Sequence, residues 1–219
     1  MTHRGLFVTF EGGDGVGKTT QAALLEEWLT TEGMTVVRTR EPGGTDVGRL
    51  IRDIVLHHRG EVAPRAEALL YAADRAHHVE TVVRPALARG DIVIQDRYLD
   101  SSVAYQGAGR VLGRDEVRDL SVWATGGLLP DLTVLLDLDP DDARRRLDAD
   151  DKPFDRLESE QDEFHVRVRA EFLALAAAEP ERFLVLDAAR SADELAAEVR
   201  GRVSLVIGST WTGHVPTAD

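Results

Sequence analysis

Cysteine is absent from the 219 residues, so disulfides and thiolate metal sites are excluded. The absence fits a reducing cytoplasm, the location expected for this chain. Long apolar runs are missing too. No stretch approaches the roughly 20 residues that a membrane helix needs, and no membrane partner is expected. The opening Met-Thr-His-Arg-Gly leads into a short strand rather than into the apolar core of a signal peptide. Positive charge is scarce: 26 Lys and Arg stand against 39 Asp and Glu, a formal net charge of −13. That balance argues against a nucleic-acid surface, which needs a positive footprint. Metal-binding histidine spacing is also lacking. None of the seven histidines falls in an H-E-x-x-H or similar pair, and His57-His58 and His77-His78 are expected at the surface.

What the chain does have is repeated alternation of strand and helix. Short runs rich in Val, Ile, Leu or Phe predict strands at 6–11, 35–39, 92–96, 132–138 and 183–187. Helical patterns fill the intervals at 18–31, 46–57, 64–90, 113–125, 140–148, 157–178 and 191–206. Pro64 suits a first helical turn, while Pro85 should kink or interrupt the long third segment. Near-continuous apolar strands separated by helices imply an α/β fold with a parallel sheet covered on both faces. Ligands in such folds bind at the carboxyl ends of strands. The length suits one domain over 1–207, with residues 208–219 expected to be a loose tail.

Residues 12–19, Gly-Gly-Asp-Gly-Val-Gly-Lys-Thr, complete the form G-x-x-x-x-G-K-[ST] between a predicted strand and a predicted helix. Glycines there let backbone N–H groups cradle phosphate oxygens, and the helix N-terminus behind them favours negative charge. Lys18 can reach β/γ-phosphates, and the Thr19 hydroxyl can ligate Mg²⁺. An acidic chain that grips polyphosphate must concentrate its cations locally in the cleft.

Further segments stand in order along the chain: Arg40-Glu41-Pro42-Gly43-Gly44-Thr45, Asp74-Arg75, Asp96-Arg97-Tyr98, Ala104-Tyr105-Gln106-Gly107, Pro130-Asp131-Leu132-Thr133 and Asp155-Arg156-Leu157-Glu158. Together with Glu11 to Thr20 they resemble the thymidylate kinase family over about residues 5–206. The resemblance implies a three-layer P-loop NTPase fold, five parallel strands in the order 2-3-1-4-5, helices on both faces and a lid at about 143–156. It also implies a homodimer, with dTMP and ATP as substrates and Mg²⁺ as cofactor. The γ-phosphoryl of ATP passes to the 5′-phosphate of dTMP, a reaction of positioning and charge neutralisation in which the attacking oxygen needs no strong base.

The resemblance assigns roles residue by residue. Gly12, Gly13, Asp14, Gly15, Val16, Gly17, Lys18, Thr19 and Thr20 hold ATP, with Lys18 also catalytic. Arg97 grips the dTMP phosphate, helped by Arg52; a salt bridge to Asp96 is the competing reading for Arg97. Tyr71 and Arg75, four apart on one helix face, stack the pyrimidine and donate to thymine O4. Ser102 touches the base N3. Asp14 turns to the sugar 3′-hydroxyl and the acceptor side, Tyr105 crowds the 2′ position, and Gln106 neighbours the same sugar. Glu41 and Pro42 wall the acceptor pocket. Thr19 ligates Mg²⁺ with Asp96 in support, and Asp96 is preferred to Asp137 because it belongs to the Asp-Arg-Tyr match.

One departure bears on catalysis. Family members place a catalytic cation in the phosphate loop or in the lid, and here Gly13, Asp14, Gly15 and Val16 are not basic. In the lid, Asp148 and Asp150 stand where arginines are usual. Arg145, Arg146, Lys152 and Arg156 remain, and Arg156 with one of Arg145 or Arg146 is expected to close over the ATP phosphates. The alternatives are a kinase for dCMP, dGMP or dUMP, a P-loop GTPase, and a binding homologue with weak catalysis. The GTPase reading lacks its Asn-Lys-x-Asp motif.

Overall fold

Three strands bury side chains on both faces and two do not, as expected of the centre and edges of one covered sheet. The computed structural model describes residues 5–58, 60–110, 112–149 and 155–210. In it β1 (Leu6–Glu11), β2 (Val36–Arg40), β3 (Ile92–Asp96), β4 (Leu132–Asp137) and β5 (Phe183–Asp187) lie parallel in the order β2-β3-β1-β4-β5, the order the resemblance implies. β1 is buried at every position, whereas β2 at the edge is only partly covered. Register sets Phe10 of β1 and Arg40 of β2 level with Asp96. The carboxyl ends of the first three strands therefore open onto one crevice, where the strand order reverses.

Strand alternation divides the core. Leu6, Val8 and Phe10 of β1 face α1 (Lys18–Thr31) and α9 (Ala192–Thr210), packing with Leu25, Leu29, Val199 and Val203. Phe7 points the other way, onto Val83 and Tyr98, its ring edge-on to Tyr98 at 5.0 Å. On that second side a further cluster joins Val55 of α2 (Asp46–His57), Tyr71 of α3 (Pro64–His78) and Phe172 of α8 (Asp162–Ala178). Burying each such side chain contributes about 1.5–3 kcal/mol.

Several boundaries differ from expectation for identifiable reasons. Pro85 lacks the N–H that a continuous helix would need, and a π-helical turn, Val79–Val83, separates α3 from α4 (Arg84–Arg89). The segment after β3, passed over as a motif, is α5 (Leu99–Ser102) running into π-helical Val103–Gly109. α6 (Arg114–Thr125) and α7 (Pro140–Ala149) follow as predicted to within a residue. The helix expected from 157 begins only at Asp162, because the Asp155 carboxylate takes the N–H groups of Leu157 and Glu158 and closes a separate turn. The tail expected to loosen from Gly208 is helical through Thr210. Residues 211–219, with Asp150 and Lys152 of the lid, lie outside the described residues.

Candidate active site

β1 ends on Glu11, and the chain turns at Gly12 with φ 130°. A Cβ there would sit 2.4 Å from the Leu136 carbonyl oxygen, so only glycine lets the loop pass so close to β4. Gly17, also at positive φ, starts α1. Lys18 folds back over this loop, its Nζ donating to the carbonyls of Gly13 at 2.5 Å and Gly12 at 3.2 Å. Burial and the nearby Arg97 charge lower its pKa. Thr19 donates to Asp96 Oδ2 at 3.0 Å, whereas Asp137 is taken by Arg169.

Arg97 crosses from the end of β3 to the phosphate loop. Its Nη1 donates to the Gly12 carbonyl and Ser101 Oγ, and its Nη2 to Asp14 Oδ1 at 2.5 Å and the Tyr105 hydroxyl at 3.2 Å. The guanidinium stands over the Tyr105 ring, 5.0 Å from its centroid. Its ionic partner is therefore Asp14, and not the adjacent Asp96. Burial alone would raise the Asp14 carboxyl, but Arg97 and Lys18 outweigh it and hold the group down at about 2. The acid inside the loop thus has its charge matched by Arg97 and Lys18. Arg97 has φ 66°, a left-handed conformation costing a non-glycine residue about 1–3 kcal/mol.

Glu11 braces the backbone just after that arginine, and the sequence reading missed it. Its buried carboxylate accepts the N–H groups of Tyr98 and Ser101, and the Ser101 hydroxyl at 2.5 Å. Burial and the charge of Asp100 push it up to about 7, against the pull of Ser101 and Arg97. A lone carboxylate closing an apolar strand was the available signal.

The second half of the crevice is built on α3. Tyr71 and Arg75 both line it. Arg75 is only 2% exposed, and four of its five N–H donors are engaged, by Glu41, Ser121, Tyr98 and Ser102. Ser102 Oγ therefore accepts from Arg75 as well as bordering the crevice. Gln106 is turned by its amide nitrogen to Glu67 at 2.8 Å. Glu41 contributes its carboxylate as well as its backbone, and the Glu41–Pro42 peptide is cis. Arg52 reaches in from α2 and donates to the Pro42 carbonyl. His78 corrects the surface expectation: with Tyr71 and Arg75 it forms an i, i+4, i+7 stripe that turns it inward, fully buried.

One cavity of about 570 Å³ joins these parts. It is lined by Asp14, Gly15, Gly17, Lys18, Thr19, Thr20, Glu41, Pro42, Arg52, Tyr71, Arg75, Asp96, Arg97, Ser102, Tyr105 and Gln106. Gly12, Gly13 and Val16 of the loop do not line this cavity, and Val16 is buried in the core. Of the lid arginines only Arg146 reaches the cavity, donating to the Ala188 carbonyl at 2.8 Å. Arg145 is exposed and pairs with Asp142. Arg156 is drawn the other way, onto the Val55 carbonyl and Glu67. Arg156, expected with Arg145 or Arg146 to close over the ATP phosphates, is here engaged by Glu67 of α3.

Asp74, beside Arg75, is fully buried with neither carboxyl oxygen hydrogen-bonded; the Gly43 N–H lies near without meeting hydrogen-bond geometry. Burial and the Glu41 charge push it up to about 6, against His78 and Arg75. With its folded pKa raised, the group binds more protons in the folded state. Stability is lost as pH rises from about 4 to about 6, and the penalty is complete above that. Asp74→Asn is expected to melt a few degrees above the parent at pH 8, at roughly 2–4 °C per kcal/mol, and to show no such gain at pH 4. Paired melting curves at the two pH values check this.

The architecture is that of a P-loop nucleotide kinase: a parallel sheet whose crevice joins a phosphate-binding loop to a second, arginine-lined compartment. A family model described as thymidylate kinase matches residues 10–199. Among curated proteins, the thymidylate kinase of Leifsonia xyli subsp. xyli (strain CTCB07) is 71% identical over 199 residues, covering 91% of this chain and 94% of that protein. The thymidylate kinase of Clavibacter sepedonicus is 69% identical over 205 residues, covering 94% and 97%. That of Deinococcus radiodurans is 54% identical over 201 residues, covering 92% and 97%. The chain belongs to the thymidylate kinase family and is an enzyme, a kinase.

Proposed function

We propose that the enzyme phosphorylates dTMP to dTDP, with ATP as donor, by in-line transfer of the γ-phosphoryl group. The observation that carries this reading is that one cavity is lined together by Lys18 and its loop, Arg97, Tyr71 and Arg75. Lys18 exchanges its loop carbonyls for the β/γ-phosphates, and Arg97 turns its fork to the acceptor phosphate. The acceptor oxygen is already anionic, so these residues align and neutralise rather than abstract a proton. Asp14 keeps Arg97 and Tyr105 aimed across the acceptor sugar, where Tyr105 crowds the 2′ position and favours deoxyribose. Thr19 and Asp96 are the residues that would hold Mg²⁺. One hydroxyl and one carboxylate at the cavity suit an ion that takes its other ligands from substrate phosphates and water. When bound, that ion neutralises phosphate charge.

The remaining Nη1 hydrogen of Arg75 matches one carbonyl acceptor, thymine O4, and would face the amino group of cytosine. A coupled ADP-release assay with dTMP, dUMP, dCMP and dGMP tests the reading. dTMP is expected to lead, dUMP to follow by about tenfold for its missing methyl, and dCMP to fall at least about 100-fold lower. Comparable turnover of dTMP and dCMP overturns it.

A homodimer in the cytoplasm belongs to the same reading. Val47, Leu50 and Ile54 form an exposed apolar stripe along α2, with Leu69 of the neighbouring α3 exposed beside it. Sedimentation equilibrium is expected to give twice the 24.0 kDa chain mass. A monomer at micromolar concentration contradicts that.

A further inference from the structure

From Arg75 a chain of polar contacts runs through Glu41, which borders the cavity, to His78 and on to half-buried Thr39 in the sheet. Arg75 Nε donates to Glu41 Oε2 at 2.8 Å. Glu41 Oε1 lies 2.9 Å from His78 Nδ1, and His78 Nε2 lies 2.7 Å from Thr39 Oγ1. Thr39 belongs to β2, Glu41 to the loop after it, and Arg75 and His78 to α3. Gly44 closes over the far end: a Cβ there would stand 2.6 Å from both His78 Nε2 and Thr39 Oγ1. Neither His78 nor Thr39 lines the cavity.

The chemistry of this chain has a direction. A carboxylate only accepts, so His78 Nδ1 carries a proton toward Glu41, and Nε2 engages the Thr39 hydroxyl. Glu41 is then fixed by one donor on each oxygen. The guanidinium is planar, so pinning Nε to Glu41 and Nη2 to the Tyr98 carbonyl sets the direction of the remaining Nη1 hydrogen. Without the histidine donor, Glu41 would keep Arg75 as its one side-chain partner in this chain of contacts, and the anchor of Nε would loosen.

We infer that His78 and Thr39 are positioning residues that, through Glu41, aim Arg75 and so set base selectivity in the acceptor pocket. The inference rests on Arg75 being the base reader, and the test separates the two. Asn at position 78 puts an amide nitrogen near the place of Nδ1 and keeps the donation to Glu41. Gln reaches the place of Nε2 and keeps only the contact with Thr39. His78→Gln is expected to raise KM for dTMP more than it lowers kcat, and to cut the dTMP-to-dCMP ratio of kcat/KM about tenfold, the loss of one well-made contact. His78→Asn is expected to keep that ratio near the parent value. Arg75→Ala is the control. If it leaves the ratio intact, the base-reader reading itself fails and the inference falls with it. If Arg75→Ala collapses the ratio while His78→Gln and His78→Asn behave alike, His78 is only packing and the inference is overturned. Should His78→Gln not fold, Thr39→Val carries the test: a severalfold drop in the ratio supports the relay, and an unchanged ratio overturns it.

Discussion

Replacing Arg97 by alanine is expected to lower kcat/KM for dTMP by about 10³-fold, the scale of removing a preorganised charged donor from a transferring phosphoryl group. The geometry suits the proposed role. Four acceptors hold the side chain at the cavity, and two of them, Asp14 and the Gly12 carbonyl, belong to the loop at 12–19. Its removal also leaves Asp14, half-buried beside Tyr105, with Lys18 as a remaining nearby cation. Lysine at 97 keeps the charge and loses the fork, so Arg97→Lys should recover only part of the rate. Steady-state kinetics in both substrates, with melting curves for each variant, decide the matter. An alanine variant within about tenfold of the parent would remove Arg97 from the chemistry, since one lost transition-state donor costs at least about 100-fold.

The second large effect is expected at Arg146. Among the described residues it is the arginine of the 143–156 segment that borders the cavity, and its present partner is a backbone carbonyl that a substrate oxygen could replace. Arg146→Ala should lower kcat about 100-fold with a smaller change in KM for dTMP. Arg145→Ala should lose far less, because that side chain is exposed and pairs with Asp142 on its own helix. Arg156→Ala should act chiefly on thermal stability, since it leaves the buried Glu67 with one fewer cation. Equal losses of kcat in all three variants would refute this division of labour.

How much of this was legible beforehand depended on the range of the interaction. Local pattern sufficed for the five strands, for the loop at 12–19 and for the break near Pro85, because periodicity and missing donors act within a few residues. Tyr71 and Arg75 were legible as a pair for the same reason. The pairings made across the fold were not. Arg97 with Asp14, Glu11 with Ser101 and Arg156 with Glu67 each join residues more than 80 positions apart. Only the strand order brings them together, and no local pattern states that order. His78 is the instructive miss. It sat one further step along the stripe already drawn through Tyr71 and Arg75, yet the doublet His77-His78 looked like solvated surface. Counting arginines identified the lid candidates, while the contact of Arg156 with Glu67, a carboxylate on another helix, had no local signal.

The left-handed turn at Arg97 sets two requirements against each other at one position. Glycine would relax the backbone there, and glycine carries no guanidinium. Glycine at 97 would set a backbone relief of about 1–3 kcal/mol against four lost side-chain hydrogen bonds, so the strained corner is held by what its guanidinium touches: Gly12, Asp14, Ser101 and Tyr105.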